Sequence, residues 1–142
     1  MTKNTIIGID LAKTVFQVGV MNNGKLTSNK QIKRGRLLSL IANYPPSTIA
    51  MEACYSSHYW AREFEALGHT VKLIPAQHVK PFTRGNKTDA NDAIAIIEAS
   101  SRPNLRFVPV KTTHQQDIQC LHRIRERLVG NRTALTNQTR GL

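Results

Sequence analysis

A chain of 142 residues with 40% hydrophobic residues has the size of one ordinary domain and enough apolar content for a core, which excludes a disordered or fibrous chain. No apolar run approaches the roughly 20 residues that cross a bilayer, and the run at residues 5–9 is too short for a signal peptide; no membrane role and a cytoplasmic setting are expected. Twenty Lys and Arg stand against nine Asp and Glu, a net charge of +11, which favours a polyanionic partner because each neutralised phosphate releases counterions.

Residues 5–10, Thr-Ile-Ile-Gly-Ile-Asp, are short and β-branched and predict a buried strand. Residues 15–21 predict a second strand, and Asn22-Asn23-Gly24 is a strong turn signal. Residues 26–32 predict a third strand, polar enough for an edge. Leu37, Leu38, Leu40 and Ile41 fall at helical spacing within residues 35–43, before the stop at Tyr44-Pro45-Pro46. Residues 48–53 predict a fourth strand. A helix over 57–67 with Gly68 as its stop and a short strand over 71–74 follow. Residues 77–87 read as a basic loop or a short helix and loop. Thr88 is a good N-cap for a helix over 89–100, ended near Pro103, and residues 107–110 read as extended. From Thr112 a long Arg-rich helix is expected, because Ile118, Leu121, Ile124, Leu128 and Leu135 recur at steps of three, three, four and seven.

Three strands, helix, strand, helix, strand, helix is an α/β layout, a mixed sheet with flanking helices. It matches the ribonuclease-H-like (RuvC-like) arrangement, here followed by a long C-terminal helix. The expected division is an α/β domain over 1–110 and a long helix, alone or in a coiled coil, over 111–142.

With so few acids, their placement carries information. Asp10 ends a buried strand, where an unpaired carboxylate is costly, although it could simply open the following turn. Glu52 interrupts the fourth strand, which should lie beside the first; its plainer reading is a solvated position. Asp89 and Asp92 share one helix face and lie in a first turn, where acids are also commonly found for the helix dipole alone. Four converging acids could hold two Mg²⁺ (or Mn²⁺) ions, because oxygen-only donors select these over zinc, and such a pair suits phosphodiester chemistry. Cys54 with His58 and Cys120 with His122 each lack the second half of a zinc site. Two cysteines suggest no disulfide framework. Ser56 and Ser57 have no base beside them, and Trp60 with Phe64 reads as core packing.

Gly8-Ile9-Asp10-Leu11-Ala12-Lys13, Met51-Glu52-Ala53-Cys54 and Lys87-Thr88-Asp89-Ala90-Asn91-Asp92-Ala93 together resemble the DEDD transposases of bacterial insertion sequences, relatives of the Piv-type DNA invertases. The resemblance implies a RuvC-like N-terminal domain with Asp10, Glu52, Asp89 and Asp92 as catalytic and metal-holding acids. It also implies DNA strand cleavage and transfer in insertion-sequence transposition, guided by a structured RNA. In such proteins a helical connector leads to a C-terminal domain with a nucleophilic serine, which is absent from these residues. Lys13, Lys80, Arg84, Lys87, Arg123 and Arg127 are the expected nucleic-acid contacts, and the apolar stripe of the last helix predicts a homo-oligomer. The competing readings are a non-catalytic nucleic-acid-binding or dimerisation module and an actin-like ATPase-type domain, which also opens with Gly-Ile-Asp but needs a second glycine-rich loop.

Overall fold

A computed structural model describes residues 5–83 and 88–142. The chain divides into two compact units, one up to Val110 and one over Lys111–Leu142. The first unit is built on a five-stranded sheet of order β3-β2-β1-β4-β5. Its strands are β1 (Thr5–Asp10), β2 (Val15–Asn22), β3 (Lys25–Lys33), β4 (Thr48–Glu52) and β5 (Thr70–Ile74). The first three form an antiparallel meander, and β4 and β5 add in parallel to β1. This is the expected mixed sheet, with β3 on an edge.

Local chemistry explains most of the boundaries. The β2–β3 turn holds Asn23 and Gly24 at φ of 48° and 78°, the left-handed conformation that Asn and Gly tolerate best. The expected first helix starts as a tight 3₁₀ turn over Arg34–Arg36 and becomes helix α1 only over Leu37–Ile41. Helix α2 spans Ser57–Ala66, and Gly68 at φ 87° ends that segment. The segment after β5 folds as a short helix α3 (Ala76–Val79) and a 3₁₀ turn (Lys80–Phe82). Residues 107–110 form no strand. Val108 makes a single bridge to Leu73, with its N–H donating to the Leu73 carbonyl at 2.8 Å, so this loop covers the outer edge of β5.

Strand alternation gives the two sheet faces different characters. Ile7, Ile9, Phe16, Val18, Ile49 and Met51 pack with Leu37, Ile41, Trp60 and Phe64 of α1 and α2. Trp60 stands edge-on to Phe16 at 5.3 Å and stacks on Phe64 at 5.9 Å, as the helical spacing implied. The opposite face carries helix α4 (Asp89–Ser100) and is lined by small residues. Gly8 and Gly19 are directly paired across β1 and β2, and Ala50 pairs with Gly8 from β4. A Cβ on Gly8 would lie 2.5 Å from Ile97 Cγ1 and 2.6 Å from the Ala93 carbonyl oxygen. A Cβ on Gly19 would lie 3.3 Å from the end of the Ile97 side chain and at ordinary contact distance, 3.6 Å, from Ala93 Cβ. The helix therefore rests against bare backbone.

The second unit is helix α5 (Thr113–Arg140). A capping box starts it: the Thr112 side chain accepts from Gln115 N at 3.2 Å, and Gln115 Oε1 accepts from Thr112 N at 3.0 Å. Ile118, Leu121, Ile124, Leu128 and Leu135 are all exposed.

Because the Ala93 backbone cannot yield as a side chain can, Gly8→Ala should cost about 1–3 kcal/mol of stability through overpacking. Gly19→Ala should cost less, since Ile97 can change rotamer. Urea midpoints of the two variants check this, and equal, near-zero losses would contradict the seating of α4 on the glycine pair.

Candidate active site

Alternation along β1 puts Asp10 on the same face as Gly8, and alternation along β4 puts Glu52 on the same face as Ala50. Because the Gly8–Ala50 and Ile9–Met51 pairs run in parallel register, Asp10 and Glu52 stand side by side at the carboxyl ends of adjacent strands. Such strand ends are where open α/β sheets form clefts.

Helix α4 supplies the opposite wall. The Thr88 side chain caps it, accepting from Asn91 N at 3.3 Å, a bond type worth about 1 kcal/mol. Capping there makes Asp89 the first helical residue and turns Asp92 to the same side, toward the strand ends. Possible ligand oxygens of Asp10, Asp89 and Asp92 all lie within 4.8 Å of one another. These three form the only such group among the described residues. Glu52 lines the same cleft, of about 390 Å³, but stands outside that tight group. The expectation of four converging acids is thus met by three, with Glu52 on the wall.

Among the expected cationic contacts, exposed Lys80 lines the cleft. Lys13 is exposed in the loop that leaves β1, and Arg123 and Arg127 are exposed on α5. Arg84 and Lys87 lie outside the described residues. The cleft also includes Thr83, which nothing in the sequence distinguished from its basic loop. Cys54, His58, Cys120 and His122 form no three-membered ligand group among the described residues. Ser57 is buried, accepting from Cys54 N at 3.1 Å and donating to Cys54 O at 2.8 Å, which occupies its hydroxyl structurally.

A mixed sheet with a meander, parallel crossovers and acids at the strand ends facing a helix defines the ribonuclease-H-like class. Two solved structures of Thermus thermophilus RuvC share this fold, one of them "in complex with Holliday junction substrate", with TM-scores of 0.51 and 0.50 at 14% identity. They match 68% and 67% of this chain and 91% and 92% of their own. A transposase family profile of the DEDD, IS110 type matches residues 7–142, and the chain belongs to that family. The resemblance drawn from the three motifs and the RuvC-like fold is borne out, and the actin-like alternative falls away.

Curated relatives agree. A "Probable family 20 transposase" of Pseudomonas aeruginosa is 55% identical over 96% of this chain and 40% of its own length. The "Transposase for insertion sequence element IS1111A" of Coxiella burnetii is 47% identical over 96% of this chain and 38% of its own. The "Transposase for insertion sequence element IS1328" of Yersinia enterocolitica is 44% identical over 97% and 42%. The chain therefore spans about two fifths of the length of these relatives. No helix among the described residues is long and apolar enough to cross a membrane.

Three clustered carboxylates repel one another when no cation is present. A like-charge pair near 4 Å costs about 1 kcal/mol even in water. Removing one charge of three relieves two pairs and loses a helix-dipole contribution of roughly 0.3–1 kcal/mol. Asp92→Asn is accordingly expected to raise stability in chelator by about 1 kcal/mol and to reduce the stabilisation gained from added Mn²⁺. Melting curves with and without the metal test both signs, and a variant less stable in chelator would contradict the repulsion.

Proposed function

We propose that this chain is the metal-dependent DNA-cleaving domain of an insertion-sequence transposase. The observation that carries the reading is the meeting of Asp10 with Asp89 and Asp92, acids remote in sequence, in one cleft of a ribonuclease-H-like fold. Family membership supports DNA as the polyanion that the +11 charge anticipates.

The donor set fits a hard divalent cation. All four candidate ligands, Asp10, Glu52, Asp89 and Asp92, offer carboxylate oxygen, and among the described residues no His or Cys joins them in the cleft. Such donors favour Mg²⁺ or Mn²⁺ over zinc. A bound pair of ions supplies charge neutralisation and an activated nucleophile for phosphodiester exchange. The chain's own residues orient that chemistry. Strands β1 and β4 present Asp10 and Glu52 from a rigid sheet, and the capped turn of α4 presents Asp89 and Asp92. Lys80 stands at the cleft where a phosphate would enter. Lys13, Arg84, Lys87, Arg123 and Arg127 are the further nucleic-acid contacts of this reading. In the whole protein, a later domain carrying a nucleophilic serine completes the reaction, a structured RNA guides the target, and the setting is the cytoplasm.

Helix α5 has a separate task. Leu121, Leu128 and Leu135 recur every seven residues, and Leu121 and Leu128 are 67% and 63% exposed. This pattern suits a coiled-coil seam between copies of the protein and follows on the helical-connector division at residue 111.

Crystals soaked in Mn²⁺ should give anomalous peaks between Asp10, Asp89 and Asp92 that disappear in Asp10→Asn. The metal contributes several kcal/mol to the transition state, and each decade of rate is about 1.4 kcal/mol. The full-length transposase with Asp89→Asn should thus lose strand cleavage by about 100-fold or more while still binding DNA. Cleavage unaffected by this change would leave the non-catalytic module as the better reading. For α5, Leu121→Lys with Leu128→Lys should yield monomers by analytical ultracentrifugation; an unchanged oligomer would exclude the stripe as its seam.

A further inference from the structure

Gln17 is a polar residue within the buried run of β2 and is only 6% exposed. It pairs in register with Asp10, so its side chain shares the face that carries α4. Its Nε2 donates to Asn29 Oδ1 at 2.6 Å. Asn29, on β3, in turn donates from Nδ2 to the carbonyl oxygen of Ala90 at 3.0 Å. Ala90 lies in the first turn of α4, between Asp89 and Asp92.

The direction of this relay is set from the helix end. A carbonyl can only accept, so the Asn29 amide must turn its nitrogen toward Ala90. Its oxygen then faces Gln17, which must donate. Two buried or half-buried amides with fixed polarity thus span from the strand position beside Asp10 to the turn that bears the other two acids. Asn29 pairs across the strands with Gly19, whose missing side chain leaves the α4 face open at that position.

We propose that Gln17 and Asn29 are positioning residues, an amide relay that holds the first turn of α4 so that Asp89 and Asp92 meet Asp10. This rests on the reading of those acids as a metal site. Neither amide is assigned to the metal itself; the relay fixes the ligands that are. Hydrogen-bond partners of metal ligands themselves are typically worth about 10–100-fold in affinity, and this relay acts one step further back, through the Ala90 carbonyl, so the lower end applies.

The test is Mn²⁺ affinity of the 142-residue chain, followed by electron paramagnetic resonance of the free ion, for the native chain, Asn29→Ala, Gln17→Leu and Asp10→Asn. Asn29→Ala should weaken Mn²⁺ binding about tenfold, with the spectrum of the bound ion at saturation unchanged and the far-ultraviolet circular dichroism retained. Gln17→Leu, which keeps the Asn29–Ala90 bond, should weaken it less and serves where Asn29→Ala does not fold. Native affinity in the folded relay variants, with binding lost in Asp10→Asn, overturns the relay and leaves the metal site standing. Native affinity in Asp10→Asn as well removes the metal site and the relay with it.

Discussion

The seating of α4 on a glycine-bared patch of sheet is the constraint on which the site depends. Gly8 and Gly19 face each other across β1 and β2, and Ala50 continues the patch on β4. With no side chains there, Ala93 and Ile97 approach the strand backbones directly. The helix is held by burial of Ile96 and Ile97, each worth about 1.5–3 kcal/mol. Like-charge repulsion at its first turn costs about 1 kcal/mol per pair in water. Packing therefore outweighs repulsion, and the acids are held together by the core beneath them.

The sheet separates two tasks by face. One face carries the large side chains, Phe16 and Met51 against Trp60 and Phe64, which anchor α1 and α2. The other carries small residues and, at its carboxyl edge, the acids. Since side chains alternate along a strand, Ile9 can build one core while Asp10, the next residue, lines the cleft on the other side. The acids thus stand on strands and a helix, elements that hold side chains more firmly than loops do.

Charge distribution reinforces this division. Nine acids share a chain with twenty bases, yet four of the nine line a single cleft. Lys80 borders those acids, so cation and carboxylates address one small volume. In the second unit, the Arg-rich helix α5 keeps Leu121, Leu128 and Leu135, one every seven residues, exposed. Shared architecture with RuvC at 14% identity shows that this fold does not depend on most of the individual residue identities.

Much of the architecture was legible in order along the chain because its causes are local. The β-branched run before Asp10, the Asn-Gly turn, the Thr88 cap and the heptad leucines each act within a few residues, so strands, turn and helices are readable from spacing alone. Asp89 and Asp92 were legible as a pair for the same reason. Other features were not. The 3₁₀ start at Arg34, the lone bridge of Val108 and the standing of Glu52 outside the tight acid group depend on neighbours brought in from elsewhere. Gln17 offered a faint sign, a polar residue in a buried run, but its partner Asn29 and the Ala90 carbonyl are joined only by folding. The sequence by itself determined which elements form and which acids are available. The tertiary structure alone decided how near they come, because the distance between α4 and the sheet is set by side chains missing at two glycines on different strands.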